Sequence, residues 1–158
     1  MSENSNCNEL NIVRFDPSQL DEIMKIEVEA FTLPWSRQSY EEVVALDTVE
    51  MWVAKSGDEV VGYMLIQRIY EEMELHSFAV KSSWRRKGVG RKMLNRMLDL
   101  ARGYDVKRIY LLVRHYNVSA KNLYESLGFK AIGVRKNYYQ DDGADALEAV
   151  AHGRLDHA

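Results

Sequence analysis

The chain is poor in cysteine, proline and long hydrophobic runs, and each shortage excludes something. Cys7 is its only cysteine, so no disulfide can close within the chain, and a cytoplasmic setting is the default expectation. Pro17 and Pro34 are the only prolines, which leaves no proline-rich linker at which to divide the 158 residues. No apolar run approaches the ~18 residues that span a bilayer, so no membrane association is expected. The opening MSENSNCNEL lacks the basic start and apolar stretch of a signal peptide. Surplus positive charge is missing as well. With 21 Lys and Arg against 24 Asp and Glu, the net charge is −3, unlike the basic balance of a general nucleic-acid binder. His76, His115, His152, His157 and Cys7 fall at no metal-ligand spacing, so no metal is expected.

What is present suits a globular protein. The composition is 46% hydrophobic and 28% charged, enough for a proper core. Residues 1–9 read as a polar, disordered leader, and 10–158 as a single domain. Leu10 to Phe15 suits a strand, and Asp16-Pro17-Ser18 starts a helix with Leu20, Ile23, Met24 and Val28 near helical spacing. After the break at Phe31-Thr32-Leu33-Pro34-Trp35, Ser36 can cap a second helix reaching about Leu46. Strands follow at Val49–Lys55, Val60–Tyr70 and Met73–Val80, the first two joined by a Gly57-Asp58 turn. A helix from about Gly88 to Arg102 has Val89, Met93, Leu94, Met97, Leu100 and Ala101 on one face, with Gly103 as its stop. Ile109 to Val113 is a continuous apolar run, which suits a strand covered on both sides. Asn117 can cap a last helix carrying Ala120, Leu123, Tyr124 and Leu127, ended by Gly128; two more strands close the chain. The order predicts one α/β (α+β) mixed sheet of about seven strands flanked by about four helices.

Five cations crowd two glycines in SSWRRKGVGRKML, residues 82–94. The stretch is neither GxGxxG, because Met93 stands at the third glycine, nor a P-loop, because no Gly-Lys-Ser/Thr follows. What remains is Arg85-x-x-Gly88-x-Gly90 between a strand and an amphipathic helix. Glycines admit close backbone approach, and a helix start offers N–H groups and a favourable dipole to a phosphate. Arg85, Arg86, Lys87, Arg91 and Lys92 add charge there. A solvated basic helix start is the plain alternative, and a nucleic-acid or nuclear-localisation patch a third. A bare charge patch needs no glycines.

AVKSSWRRKGVGRKML resembles the acetyl-CoA motif of the GNAT superfamily of N-acetyltransferases, written Arg/Gln-x-x-Gly-x-Gly/Ala. NVSAKNLYESLGF is similar to that family's Asn-x-x-Ala-x-x-Leu-Tyr-x-x-Leu-Gly-Phe segment. FTLPWS and NYYQDDGADA resemble the RimI-like branch, which acetylates protein N-termini. The resemblance implies the GNAT fold, acetyl-CoA as cosubstrate and a protein or peptide N-terminus as acceptor, a ribosomal protein among the candidates. No nucleic-acid partner is expected from the charge balance, and a monomer or weak dimer is the expected state. The resemblance assigns Phe78, Ala79 and Val80 to the pantetheine and thioester. It gives the diphosphate to Arg85, Arg86, Lys87, Gly88, Val89, Gly90 and Arg91, and the pantetheine to Asn117. Tyr124 would protonate the leaving thiolate at the cofactor's sulfur.

The proton acceptor departs from the pattern. Many RimI-like enzymes carry Glu or His at the second position before Val-Arg in YLLVR, and here that residue is Leu111-Leu112's second leucine. Strand alternation places Glu74, His76, Phe78 and Val80 on one face, which makes Glu74 and His76 the candidate bases. Phe31, Pro34 and Trp35 would wall the acceptor groove, and Tyr138 and Tyr139 would flank the incoming amine. A lysine or small-amine acetyltransferase and a non-catalytic CoA-binding module are the competing functions.

Overall fold

The computed structural model describes residues 9–152, so residues 1–8 of the expected leader lie outside the described residues. The element order follows the expectation. Strands are β1 (Leu10–Arg14), β2 (Val49–Ser56), β3 (Glu59–Ile69), β4 (Glu72–Val80), β5 (Arg108–Arg114), β6 (Lys130–Arg135) and β7 (Ala146–His152). Helices are α1 (Leu20–Ala30), α2 (Arg37–Val44), α3 (Val89–Gly103) and α4 (Val118–Ser126). The seven strands form one sheet in the order β1-β2-β3-β4-β5-β7-β6. β1–β2, β2–β3, β5–β7 and β6–β7 pair antiparallel. β4 and β5 pair parallel, from Glu72↔Arg108 to Glu74↔Tyr110. A parallel pair needs a crossover, and α3 supplies it.

Two compact units make up the chain. One holds the residues up to Gln67 together with His76–Arg96; the other holds Arg68–Leu75 and the residues from Met97 on. In the first, α1 and α2 bury Leu20, Ile23, Ile26 and Tyr40 against Val53, Tyr63 and Leu65 of the sheet. Asp16 starts this region with a capping box that Gln19 completes, leading through a short 3-10 turn into α1. The phase of α1 differs from the expected one. Val28 is 62% exposed and Glu27 is 2% exposed, because hydroxyl and amide donors meet the carboxylate inside. Toward α3, Gly62 is required by space: a Cβ there would lie 2.9 Å from Met93 Cε and 3.0 Å from Ala79 O.

In the second unit β5 corrects the expectation of a strand covered on both sides. Ile109, Leu111 and Val113 are buried, whereas Tyr110, Leu112 and Arg114 are only half-buried. An unbroken apolar run hides this alternation, since Tyr and Leu tolerate a half-covered face. Gly103 also differs from the expected stop: it closes α3 in helical conformation, and the left-handed residue after the helix is Asp105, with φ +59°. Gly128 does end α4 as expected, at φ +96°. Every residue of the edge strand β6 is exposed.

Candidate functional site

In the first unit, β4 buries Ser77 and Ala79 and turns His76, Phe78 and Val80 to its other face, as alternation requires. The chain then passes a short 3-10 turn, Ser82–Trp84, into the glycine loop. Lys81 is tied to β3: its N–H donates 2.7 Å to Val61 O, and its ammonium 2.7 Å to Glu59, which raises its pKa. Arg86 and Gly88 have φ of +63° and +83°. Left-handed residues in such a turn direct successive N–H groups to one side, a concavity that suits an anion. The first-turn N–H groups of the 15-residue α3 lack intrahelical acceptors, so they add to it. A Cβ built on Gly88 meets nothing within 4 Å, so open space fronts the helix start. Arg85, Arg86, Lys87 and Arg91 are exposed around it. These features fit the diphosphate of a CoA ester. Lys92 belongs to the scaffold instead, its ammonium donating 2.5 Å to Leu10 O.

His76 Nε2 lies 2.8 Å from Gln67 Oε1, and Gln67 Nε2 donates 2.9 Å to Thr48 Oγ1. With its amide N–H2 turned to Thr48, Gln67 offers oxygen to His76, which assigns the ring proton to Nε2. Phe31 and Trp35, at 37% and 38% exposure, present aromatic surface from the turn between α1 and α2, with Pro34 also exposed. That turn hangs on Glu27, whose Oε2 accepts the Trp35 N–H at 2.9 Å. The Trp35 ring leans on Tyr40, centroids 5.0 Å apart, and the Tyr40 hydroxyl donates to Glu27 Oε1 at 2.7 Å. Tyr63 donates to the same oxygen. Burial pushes both phenols well above the ordinary tyrosine range, so both remain donors.

The second unit holds Asn117, Tyr124 and the Tyr138–Tyr139 pair. Asn117 caps α4, its Oδ1 accepting the Ala120 N–H at 3.1 Å, so the group it can offer a ligand is the Nδ2 amide. Tyr124 is 7% exposed and packs edge-on against Phe129, centroids 5.8 Å apart. Burial first, and the Tyr139 phenol second, push its pKa well above the usual tyrosine range. It therefore carries its proton throughout the neutral range. Tyr138 and Tyr139 stand edge to face, 5.1 Å apart, on the loop between β6 and β7. Glu74 is exposed, opposite Tyr110 in the β4–β5 register.

Sequence reasoning missed what holds that loop. Arg114 reaches from β5 to Asp141 at 2.8 Å and Asp142 at 2.9 Å, with its guanidinium carbon 3.9 Å from the Tyr139 ring centre. Tyr116 donates 2.5 Å to Asp142, which lowers the Asp142 pKa and raises that of Tyr116. The signal was present: an arginine ending a strand and an acidic Asp-Asp-Gly turn in the same C-terminal half. Glu27 was missed because a helix wheel reads a glutamate as solvent-facing. Among the described residues, no group of three or more His, Cys, Asp or Glu side chains is placed to hold a metal. No helix of the described residues is long and apolar enough to cross a membrane.

A mixed sheet whose parallel β4–β5 pair is bridged by a glycine-led helix is the frame of an acyltransferase. The chain belongs to the acetyltransferase (GNAT) family, whose sequence pattern matches residues 20–129, and it is an N-acetyltransferase. It is 38% identical over 117 residues to the N-alpha-acetyltransferase RimI of Mycobacterium tuberculosis, covering 72% of each chain. Over 138 residues it is 29% identical to the [ribosomal protein bS18]-alanine N-acetyltransferase of Escherichia coli K12, covering 86% of this chain and 93% of that one. The crystal structure of the ribosomal-protein-S18-alanine N-acetyltransferase from Escherichia coli matches 90% of this chain and 93% of that chain, with TM-score 0.84 and 28% identity.

Proposed function

We propose that this enzyme moves acetyl from acetyl-CoA to the α-amine of a protein N-terminus by direct attack in a ternary complex, a ribosomal protein being the first candidate acceptor. Residues 10–158 act in this reading as one acetyltransferase domain in the cytoplasm, as a monomer or weak dimer and without a metal. The observation that carries it is the aromatic pair Tyr138 and Tyr139, clamped by Arg114 within electrostatic reach of the buried Tyr124. The names of the relatives, each an N-terminal or ribosomal-protein acetyltransferase, support it.

The backbone of Phe78, Ala79 and Val80 receives the pantetheine arm, and Arg85 to Arg91 with the α3 start receives the diphosphate. Asn117 Nδ2 donates to the pantetheine. Phe31, Pro34 and Trp35, and separately Tyr138 and Tyr139, are the candidate peptide contacts. Tyr124 gives its proton to the departing sulfur, whose thiol form has an ordinary pKa of ~8.5. An α-amine has a pKa of ~7.7–8.0, so a minority is neutral near pH 7 and a nearby base raises that share. Glu74 and His76 are the acceptors β4 offers.

Turnover of acetyl-CoA against peptides with varied first residues tests this, run beside α-blocked peptides with a free lysine and beside polyamines. Free α-amines should react fastest. Faster reaction of the blocked lysine peptides or polyamines moves the acceptor to that class, and binding of acetyl-CoA with no turnover of any amine makes the chain a CoA-binding module.

A further inference from the structure

β5 presents Leu112 on the half-buried face it shares with Tyr110 and Arg114, and a leucine cannot take a proton. The residue directly across from it on β7 is Glu148, by the register Leu112↔Glu148. Cross-strand partners share a face, with Cα atoms ~4.5–5.5 Å apart. Glu148 therefore stands on the Leu112 face one strand over, diagonal to Arg114 by ~7–8 Å. On its other side its register partner is Gly133 of β6. A Cβ on Gly133 would meet nothing within 4 Å, so the space beside the carboxylate is open. The Glu148 side chain is 28% exposed, and its ion pair with Arg135 is a loose 3.5 Å. A bulge between Ala131 and Gly133 re-aims β6 at this point, a device common beside active sites.

We infer that Glu148 is the general base of the reaction, a carboxylate supplied by β7 in place of one on β5. The inference rests on the acetyl-transfer reading above and deepens it. Arg114 on the same face lies over Tyr139, which in turn acts electrostatically on Tyr124, so Arg114 and Tyr139 link the Glu148 face to the acid within the second unit. Glu148 takes one proton from the bound ammonium, directly or through one water. The freed nitrogen forms its bond to the carbonyl carbon, and the carbon–sulfur bond breaks as Tyr124 protonates the sulfur. Of the two protons still on the nitrogen, one stays in the amide and the other replaces the one Tyr124 gave, and Glu148 releases its own to solvent. The products are the amide, the thiol and one free proton. Among the described residues, the charged and titratable groups on the Glu148 face include Tyr110 and Arg114 from β5 and Arg135 from β6.

The test is a pH–rate profile of Glu148→Gln beside Leu112→Glu/Glu148→Leu, which moves the carboxylate one strand across. General acid–base contributions are ~10²–10⁴-fold, so Glu148→Gln should lose about 10²-fold in kcat/KM at neutral pH and approach the wild type above the amine's pKa. Its affinity for acetyl-CoA should not change. The exchanged double variant should recover to within about 10-fold of the wild type, which a purely structural role for Glu148 would not produce. A wild-type profile for Glu148→Gln overturns the inference, as does a double variant that binds acetyl-CoA but is no faster than Glu148→Leu. The same follows if Glu74→Gln or His76→Gln alone removes the acid limb. The profile is read with whichever amine reacts fastest in the acceptor panel, so an error about the acceptor shows in the panel and an error about the base shows in the profile.

Discussion

Glu27→Gln is a near-isosteric change whose cost can be worked from the contacts. The wild-type carboxylate is 2% exposed and accepts three donors: Tyr40 and Tyr63 hydroxyls on Oε1, and the Trp35 N–H on Oε2. Glutamine keeps its oxygen where two hydroxyls converge, which puts its N–H2 against the Trp35 N–H. One bond to a charged acceptor, worth ~1.5–3 kcal/mol, is then lost. The two remaining bonds fall from charge-assisted to neutral, each by roughly 1 kcal/mol. Burying a neutral amide is easier than burying a carboxylate, which returns part of the sum. The net expectation is about 2–4 kcal/mol of lost stability. For a chain of this size that is a fall in Tm of ~5–15 °C. Urea unfolding of wild type and variant, with slopes compared, measures it directly. Tyr63→Phe should cost ~1.5–3 kcal/mol alone and less on top of Glu27→Gln, because both act on one network. A loss below ~0.5 kcal/mol for Glu27→Gln would mean the carboxylate is not held as described, since changes of that size are ordinary at unconstrained surface sites.

Tyr124→Phe should lower kcat by ~10²–10⁴-fold with little change in acetyl-CoA affinity, because the proton it gives is needed mainly in the transition state; near-normal turnover would return it to packing against Phe129. Gly88→Val places a β-branched residue at φ +83°, so the loop should distort and the acetyl-CoA-induced rise in Tm should vanish; a retained rise would put the diphosphate elsewhere. For Asp142 the folded pKa is depressed, chiefly by the Tyr116 hydroxyl and then by the Ala144 N–H, so its stabilising effect is present above the ordinary value of 3.8 and fades as pH falls through the folded one. Tyr116 is raised by the same bond, so its share is present below 10.0 and fades as pH rises through the folded value. Amide-exchange protection in the 136–145 loop, taken against the intrinsic rate at each pH, should therefore fall on the acid side, and Asp142→Asn should abolish that acid-side change; an unaltered acid response in Asp142→Asn would clear the pair.

The sequence by itself determined the element order, because its signals are local. Caps at Asp16, Ser36 and Asn117, turn residues at Gly57 and Gly128, and the apolar stripe of α3 depend on neighbours a few residues away. The glycine turn was legible for the same reason, since Gly88 and the helix start it leads into lie within one stretch of chain. Contacts between distant residues were not legible. Glu27 is buried only because Tyr40 and Tyr63, 13 and 36 residues on, bring hydroxyls to it. Arg114 clamps the Tyr139 loop only because Asp141 and Asp142 return to it 27 and 28 residues later. Glu148 came beside Leu112 only once the β5–β7 register was set, and a slip of one residue would have turned it to the opposite face. Spacing in the chain fixes which residues share a helix or strand. Which carboxylate meets which donor is settled by strand order and register, through burial of the whole sheet's apolar surface.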